Sequence, residues 1–289
     1  MSPTLRFDIP TPLEYFASLV AEDTGFNLLE AAAAIAQDEH PELDIQAVLA
    51  DVDVLARRLG ERLPADASAS HKLRVLTHFF HQELGFAGNL NNFYEPSNSY
   101  VHWVLVTRRG IPITLAVLFM ELAMQLGLRA QGVAFPGHFL VKLRLASGEV
   151  VLDPLTGQSL SRERLDEFLQ SFRAGTGLPD DAELPVELFL QAASPRQIIA
   201  RMLRNLKEIH RAAQDWPLLL AVQQRLVLLL PGDATERRDR GLVLEALGRW
   251  SAAAADLVHY LQHQVDAQDA PLLRERLNAL RERGEPPLH

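Results

Sequence analysis

Residues 109–154 read RGIPITLAVLFMELAMQLGLRAQGVAFPGHFLVKLRLASGEVVLDP, and this stretch decides the fold class of the chain. A tight turn that ends at Pro112 leads into one long apolar segment, which closes at Gly127. Two shorter segments follow, one carrying His138 and the other Asp153. The spacing predicts a helix followed by two strands, so we expect an α+β fold.

The apolar segment has the periodicity of a buried helix. Its large apolar side chains recur three or four residues apart, at Leu115, Leu118, Phe119, Leu122 and Leu126. Pro112 suits the first helical position because no amide hydrogen is needed there, and Gly127 suits the C-terminal cap. The start of such a helix presents free backbone N–H groups and a partial positive charge to whatever lies in front of it.

The composition excludes several classes of protein. The 289 residues contain no cysteine, so disulfides, thiolate metal sites and a cysteine nucleophile are impossible. The formal net charge of −9 opposes binding to nucleic acid or to an anionic membrane, since both require clustered positive charge. The first residues lack the pattern of a signal peptide, and no apolar run is long enough to span a bilayer. We therefore expect a cytoplasmic protein that binds neither nucleic acid nor membrane.

The segment that precedes this stretch is predicted to be helical as far as the glycine at position 85. Apolar residues recur with helical spacing in several runs, which breakers such as Pro41 and Pro64 separate. The whole chain is therefore expected to be mostly helical. His71, His78 and His81 fall on the last of these helices. The spacing of His78 and His81 could hold a metal, but no third ligand is apparent, so we interpret all three as surface or packing histidines.

A loop rich in Asn, Ser, Gly and Pro is predicted at residues 88–99. It contains Tyr94, Asn98 and Ser99, and Trp103 comes shortly after it. Loops that carry aromatic residues often line sites, so these four are candidate ligand-binding residues. An equally favoured alternative is a structural loop whose Asn side chains bond its own backbone. Residues 101–106 fit either a strand or the first turns of a helix.

His138 and Asp153 form a candidate catalytic pair, an imidazole and a carboxylate on neighbouring strands. A two-residue turn at Ser147 and Gly148 sets Asp153 opposite Lys142, about 13 Å along the strand from His138 at ~3.3 Å per residue. Contact between His138 and Asp153 therefore requires a longer or bulged hairpin. The alternatives are a surface pair of Lys142 with Asp153 and a histidine that serves packing only.

The last third of the chain carries an internal repeat. Trp216 and Trp250 are 34 residues apart in the sequence, which is the tetratricopeptide period, and Gly241 provides a small residue in the second unit. Residues 174–187 contain two Gly and two Pro, which is typical of a linker. We therefore expect three parts: a helical N-terminal region with the central core at 1–173, a linker at 174–194, and helical repeats at 195–289.

Arginine side chains line the predicted repeat helices, among them Arg204 on the first helix and Arg240 on a later one. Repeat arrays form concave surfaces that bind peptides or proteins, and guanidinium groups pair bidentately with carboxylates. Arg204 and Arg240 are therefore candidate ligand-binding residues for an acidic peptide. The alternative is a solvated face without a ligand.

Four separate pieces of the sequence resemble the transglutaminase-like superfamily, and more narrowly its SirB-type subgroup. Superfamily members carry a turn with a catalytic cysteine, a helix that ends in Leu-Gly, a strand that opens with His, and a strand that ends in Asp-Pro. Here the matching pieces are residues 110–112, Leu126 with Gly127, His138, and Asp153 with Pro154. The subgroup adds an Asn-Ser loop, matched at 95–99, and a tetratricopeptide-like tail. The resemblance covers residues 30–265 and implies a papain-like core followed by helical repeats.

The resemblance implies that Asp153 holds the tautomer of His138, which takes the proton of a nucleophile. Pro112, however, stands where the superfamily places its cysteine, so acyl-enzyme chemistry is excluded at this position. We therefore predict a non-catalytic protein with a vestigial His138–Asp153 pair, without cofactor or metal, that binds a protein or peptide partner. The sequence carries no indication of the oligomeric state.

Two other functions stay open at this point. A hydrolase would use His138 and Asp153 with water, or with the hydroxyl of Ser99 or Thr114, although these two are better explained as loop and helix-start residues. A metal site built from His138, Asp153 and loop residues is the weaker alternative.

Overall fold

A computed structural model describes residues 10–22, 25–89, 92, 94–146, 148–176 and 185–284. The chain forms two compact units. The core unit comprises Glu22–Ala36 and Glu42–Met202. The repeat unit comprises the described parts of Met1–Ala21, Gln37–Pro41 and Leu203–His289. The N-terminal part of the chain is thus divided between the two units.

The described chain is mostly helical, as predicted, with short strands in its middle. The helices are α1 (Pro12–Leu19), α2 (Leu28–Ala34), α3 (Ile45–Gly60), α4 (Ala69–His78), α5 (Val101–Thr107), α6 (Pro112–Gln125), α7 (Arg162–Thr176), α8 (Pro195–Ala213), α9 (Trp216–Leu229), α10 (Ala234–Ala246), α11 (Trp250–His263) and α12 (Ala270–Gly284). The strands are β1 (Ala87–Gly88), β2 (Arg109–Gly110), β3 (Ala130–Val133), β4 (Leu140–Leu145) and β5 (Gly148–Leu152). Single 3₁₀ turns cover Ile35–Asp38, Pro96–Ser99 and Val186–Phe189.

Polar caps set where the first helices of the core unit begin. The side chains of Asn27, Asp44 and Ser68 each accept a hydrogen bond from a backbone N–H three residues further on, which satisfies donors that the helix leaves free. After α4 the chain continues as a π-helical turn, Phe79–Glu83. Residues 101–106, for which the sequence allowed strand or helix, belong to α5.

Helix α6 is the centre of the core unit. Pro112 is its first residue, and the chain turns away at Gly127, where φ is +75°. Both ends agree with the sequence prediction. Its side chains are buried almost all round the helix, and α2, α3, β3 and β4 pack against it. A helix that is apolar on every side is expected between layers, so this position follows from its composition.

The strands form two small sheets. β3, β4 and β5 form an antiparallel sheet in that order, and β1 pairs with β2 in parallel. The predicted hairpin register is wrong, because Leu145 pairs with Gly148 and Lys142 pairs with Val151. Asp153, which directly follows β5, therefore lies two residues closer to His138 along β4 than the predicted register implied.

The end of the core unit packs on this sheet. Leu165 and Leu169 of α7 and Val186 of the last 3₁₀ turn form a buried cluster with Val133 and Phe135. Beyond that turn, Ala192 forms an isolated bridge with Val133. The predicted linker at 174–194 is thus ordered against the sheet in its last part. Residues 177–184, the middle of that linker, lie outside the described residues.

The repeat unit contains the helical hairpins that the Trp216–Trp250 spacing predicted. Helices α9 and α10 pack together, as do α10 with α11 and α11 with α12, and both tryptophans pack against one buried cluster. At Gly241 a Cβ atom would lie 3.1 Å from Leu257 and 3.2 Å from Asp256, so the close approach of α10 and α11 favours glycine there.

The repeat unit also contains two N-terminal segments. Helix α1 packs on α9, and residues 37–41 belong to the same compact unit, whereas residues 195–202 of α8 belong to the core unit. This division differs from the predicted parts 1–173, 174–194 and 195–289. Those boundaries stay a prediction, because a compact unit in space is not by itself an independently folding domain.

Candidate functional site

The turn that begins α6 is held by hydrogen bonds from the preceding loop. The N–H of Ile111 donates to the carbonyl of Asn98 (3.3 Å), and the N–H of Asn89 donates to the carbonyl of Gly110 (3.3 Å). A Cβ atom at Gly110 would lie 3.0 Å from Val104, so the turn passes close to α5. Pro112 follows directly at the first helical position, and its side chain carries neither a nucleophile nor a proton donor.

Asn98 is buried at the centre of the preceding loop. Its Oδ1 accepts from the Asn89 side chain (3.0 Å), and its Nδ2 donates to the carbonyl of Asn92 (2.6 Å). These bonds correspond to the structural loop that the sequence allowed as an alternative. Ser99 is also buried, and its hydroxyl has no hydrogen-bond partner among the described residues. A ligand-binding role for Asn98 and Ser99 stays a prediction.

Two of the predicted ligand-binding residues are large and exposed. The exposed fraction is 80% for Tyr94 and 43% for Trp103, and Val106, one turn along α5, reaches 79%. Trp103 and Val106 are neighbours on α5, and exposed apolar patches are typical of interaction surfaces. Phe93, the neighbouring aromatic residue, lies outside the described residues.

His138 lies in the turn before β4, two residues ahead of the strand that it was predicted to open. Its imidazole is half-buried and stacks on the ring of Phe168, with centroids 3.9 Å apart. Burial lowers the pKa of His138 below its ordinary value; the Asp153 carboxylate opposes this shift, while Arg201 and Arg164 add to it. The shift favours the neutral form of the imidazole, which is the form able to accept a proton.

Asp153 lies directly after β5 and uses its carboxylate to close its own turn. Oδ1 accepts from the N–H of Leu155 (2.9 Å), and Oδ2 accepts from the hydroxyl of Thr156 (3.2 Å). In the described part of the chain, no hydrogen bond or ion pair joins Asp153 to His138. The alternative pair with Lys142 is wrong, because that ammonium donates to the carbonyl of Leu190 and lies 3.5 Å from Glu149.

The Asp153 carboxylate also affects the pKa of a second imidazole, that of His81, which the sequence did not connect with it. His81 lies in the π turn after α4, where its Nδ1 bonds the carbonyl of Phe86 (3.1 Å) and its ring packs near Phe119. Burial lowers the pKa of His81, while the bond to Phe86 and the charge of Asp153 raise it. Asp153 thus acts electrostatically on two histidines. The sequence signal for this is absent, since His81 and Asp153 belong to distant segments.

Asp153→Asn is expected to lower the pKa values of both His138 and His81 further, because the carboxylate raises each of them. Asparagine keeps the Oδ1 acceptor of the turn, so the fold is retained. The measurement is an NMR titration of the imidazole resonances, with Asp66→Asn, at an exposed aspartate, as the control that leaves both values unchanged. A shift at His138 alone would indicate an exclusive pair and contradict this arrangement.

The two arginines predicted to bind an acidic peptide already hold carboxylates within the repeat unit. Arg204 donates to Glu236 (2.9 Å) and to Asp233 (3.2 Å). Arg240 donates through Nε and a terminal nitrogen to the buried Asp256 (2.6 and 2.7 Å). An acidic ligand has to compete with these partners, so a binding role for Arg204 and Arg240 stays a prediction.

The arrangement limits the chemistry of the site. Pro112 supplies no nucleophile, and the hydroxyls of Ser99 and Thr114 have no hydrogen-bond partner among the described residues. In this part of the chain neither hydroxyl therefore has a base within hydrogen-bond distance, which nucleophilic catalysis by Ser or Thr requires. Among the same residues, no group of three or more His, Asp or Glu has a metal-binding arrangement, so the metal alternative at His138 finds no third ligand.

Fold and site together define a mostly helical α+β core whose central helix begins at Pro112, followed in the chain by helical repeats. Residues 46–204 match the family model described as transglutaminase-like superfamily, and residues 206–278 match the one described as tetratricopeptide repeat. The first match covers more than half of the chain, so the chain belongs to the transglutaminase-like superfamily. The combination of this domain with tetratricopeptide repeats fits a protein-interaction module.

Several bacterial relatives share nearly the whole length of the chain. A UPF0162 protein of Xylella fastidiosa (strain 9a5c) is 34% identical over 261 residues, which cover 89% of this chain and 90% of the relative. A UPF0162 protein of Pseudomonas aeruginosa is 32% identical over 88% of this chain and 90% of its own length. One of Vibrio cholerae is 27% identical over 91% and 95%. No solved structure matches the chain. No helix in the described residues is both long and apolar enough to cross a bilayer.

Proposed function

We propose that this protein is a non-catalytic member of the transglutaminase-like superfamily that binds a protein or peptide partner. The observation that carries the proposal is Pro112 at the start of α6, in a chain without cysteine. The helix start that in thiol enzymes lowers the pKa of a cysteine has no thiol to act on here. Within the superfamily, we place the chain in the SirB-type subgroup and in the cytoplasm.

The environment of the remaining pair supports the loss of catalysis. In a working triad the carboxylate accepts the imidazole N–H and fixes its tautomer. Here the Asp153 carboxylate accepts from Leu155 and Thr156 instead, and His138 stacks on Phe168. The vestigial pair therefore contributes to the structure of the hairpin rather than to proton transfer.

The binding half of the proposal rests on the repeats and on exposed apolar surface. Tetratricopeptide repeats commonly present surfaces to peptides and proteins. In the core unit, Tyr94, Trp103 and Val106 expose apolar area beside the loop of Asn98 and Ser99. We assign these residues, together with Arg204 and Arg240 of the repeat unit, as candidate partner contacts, with acidic peptides as the ligand class for the two arginines.

A hydrolase is the second candidate, and one observation favours it. Asp153 is close enough to His138 to raise the pKa of the imidazole, and the imidazole is only half-buried. A neutral, accessible imidazole is able to act as a general base toward water. This route requires no nucleophilic side chain, so the absence of cysteine does not exclude it.

Hydrolysis rates against a panel of amide and ester substrates separate the two functions. We expect the parent protein and His138→Ala to give the same background rate, because Pro112 supplies no nucleophile for the imidazole to activate. His263→Ala, at an exposed histidine of the repeat unit, controls for the loss of a generic imidazole. A parent rate tenfold or more above that of His138→Ala, with His263→Ala at the parent rate, would establish the hydrolase instead; general-base catalysis typically contributes about 10²–10⁴-fold.

A further inference from the structure

A groove of about 430 Å³ lies between α4 and the β4–β5 hairpin of the core unit. It is separate from the start of α6 and from His138, neither of which lines it. Its lining includes Leu73, Arg74 and Thr77 of α4 and Leu145, Val150 and Leu152 of the sheet. Its volume is in the range of about 300–1,000 Å³ that small ligands and short segments occupy.

The lining of the groove combines an apolar floor with a polar rim. Leu145 and Val150 lie on one face of the sheet and remain partly exposed in the groove. Hydroxyl groups line both sides of this floor, from Ser70 and Thr77 on one side and from Thr156 and Ser159 on the other. Both walls therefore offer hydrogen-bond donors and acceptors. No carboxylate lines the groove among the described residues, although the chain as a whole carries a net charge of −9.

Arg74 supplies a positive charge that the described chain does not neutralise. Its guanidinium lies 3.1 Å from Nδ1 of His71, and no Asp or Glu of the described residues pairs with it. Other arginines of the core unit do pair with carboxylates, for example Arg162 with Glu187. A groove with an unneutralised guanidinium and no carboxylate is complementary to an anion.

The sheet edge beside the groove is open to an extended chain. β5 is the outer strand, and residues 158–160 cover only its end, where the N–H of Leu160 donates to the carbonyl of Val151 (2.8 Å). No described segment pairs with the outer edge of Gly148–Val150, and Val150 also lines the groove. Extended peptides add to such edges through main-chain hydrogen bonds.

We propose that this groove binds a short extended segment of a partner protein in which a carboxylate side chain lies two residues away from aliphatic ones, so that all of them share the face turned to the groove. The carboxylate pairs with Arg74, and the aliphatic side chains cover Leu145 and Val150. This inference rests on the proposed function, for which it supplies a ligand class and a binding place. A folded partner domain does not fit the groove itself, which has room for a few side chains only.

Fluorescence polarisation with three labelled hexapeptides tests the groove. The probes have the sequence Leu-Ser-X-Ser-Leu-Ser, in which X is glutamate, glutamine or lysine. We expect the glutamate peptide to bind the parent at least tenfold tighter than the lysine peptide, with the glutamine peptide between them, because a charge-assisted bond to a guanidinium adds to the apolar contact. Arg74→Ala is expected to weaken the glutamate peptide about tenfold, and Arg74→Glu to reverse the order of the glutamate and lysine peptides.

Arg144→Ala is the matched control, since Arg144 is an exposed arginine next to Leu145 whose side chain alternates to the opposite face of the sheet. It should leave all three affinities unchanged. Equal binding of the three peptides, no binding of the glutamate peptide, or an equal loss in Arg74→Ala and Arg144→Ala would overturn the inference. This test measures peptide binding and not hydrolysis, so a negative result for the groove leaves the proposal of a non-catalytic protein untouched, and the reverse also holds.

Discussion

Replacing Asp38 by alanine is expected to lower the free energy of unfolding of the repeat unit by about 3–5 kcal/mol. Its two carboxylate oxygens accept hydrogen bonds from Nε and one terminal nitrogen of Arg225, at 2.7 and 2.8 Å. The Arg225 side chain is 0% exposed, and its other neighbours are the carbonyl of Pro12 and the ring of Phe16. Without Asp38 a buried positive charge loses its counter-charge, and that is the most costly way to break an ion pair.

Urea denaturation followed by tryptophan fluorescence measures this loss. A Trp103→Phe background leaves Trp216 and Trp250, which both belong to the repeat unit, as reporters. Glu208→Ala is the control, because it breaks an exposed pair with Arg211 and should cost less than about 1 kcal/mol.

The double variant Asp38→Ala with Arg225→Met sharpens the test of the buried pair. An apolar side chain of similar length removes the buried charge, so most of the lost stability should return. A loss in Asp38→Ala no larger than in Glu208→Ala would show that the pair does not hold the N-terminal segments to α9.

Gly157→Ala is expected to lower the free energy of unfolding of the core unit by about 2–5 kcal/mol. The backbone of Gly157 is left-handed, with φ at +71°, which costs a residue with a Cβ atom about 1–2 kcal/mol. The new Cβ would also lie 2.4 Å from Cδ2 of His81 and 2.7 Å from Cγ2 of Thr77. Those atoms have to move within a packed region, which adds an overpacking cost of about 1–3 kcal/mol.

Gly85→Ala separates the two contributions. Gly85 has nearly the same φ, +72°, but a Cβ there meets no atom within 4 Å, so only the backbone cost applies. The measurement is urea denaturation of both variants, followed by the fluorescence of Trp103 with Trp216 and Trp250 replaced by phenylalanine. In a His81→Ala background, Gly157→Ala should cost less than in the parent, because only the contact with Thr77 and the backbone cost remain. Equal losses for Gly157→Ala and Gly85→Ala would mean that His81 does not press on this turn.

The parts of the fold that depend on local sequence were predictable. Pro112 and Gly127 mark the two ends of α6 because helix termini follow from the backbone preferences of single residues. The spacing of Trp216 and Trp250 predicted the repeats, since each repeat reuses one packing arrangement.

The hairpin that carries the candidate pair was predicted less well. Ser147 and Gly148 suggested a two-residue turn, but Gly148, with φ at +130°, pairs with Leu145 as the first residue of β5. Register depends on where the turn lies, and a shift of two residues keeps the same faces, so the alternation of side chains did not reveal the error. Lys142 and Asp153, which the predicted turn sets opposite each other, consequently form hydrogen bonds with other residues.

By itself the sequence determined that this superfamily member lacks a thiolate, because the inventory of side chains does not depend on folding. It also determined that Pro112 stands at the start of the central helix. Only the tertiary structure decided which ionisable groups act on each other: Asp153 on two imidazoles, and Asp38 on Arg225 across 187 residues of sequence. The physical reason is that electrostatic and hydrogen-bond energies depend on distances through space, which residues far apart in the chain acquire only when it folds.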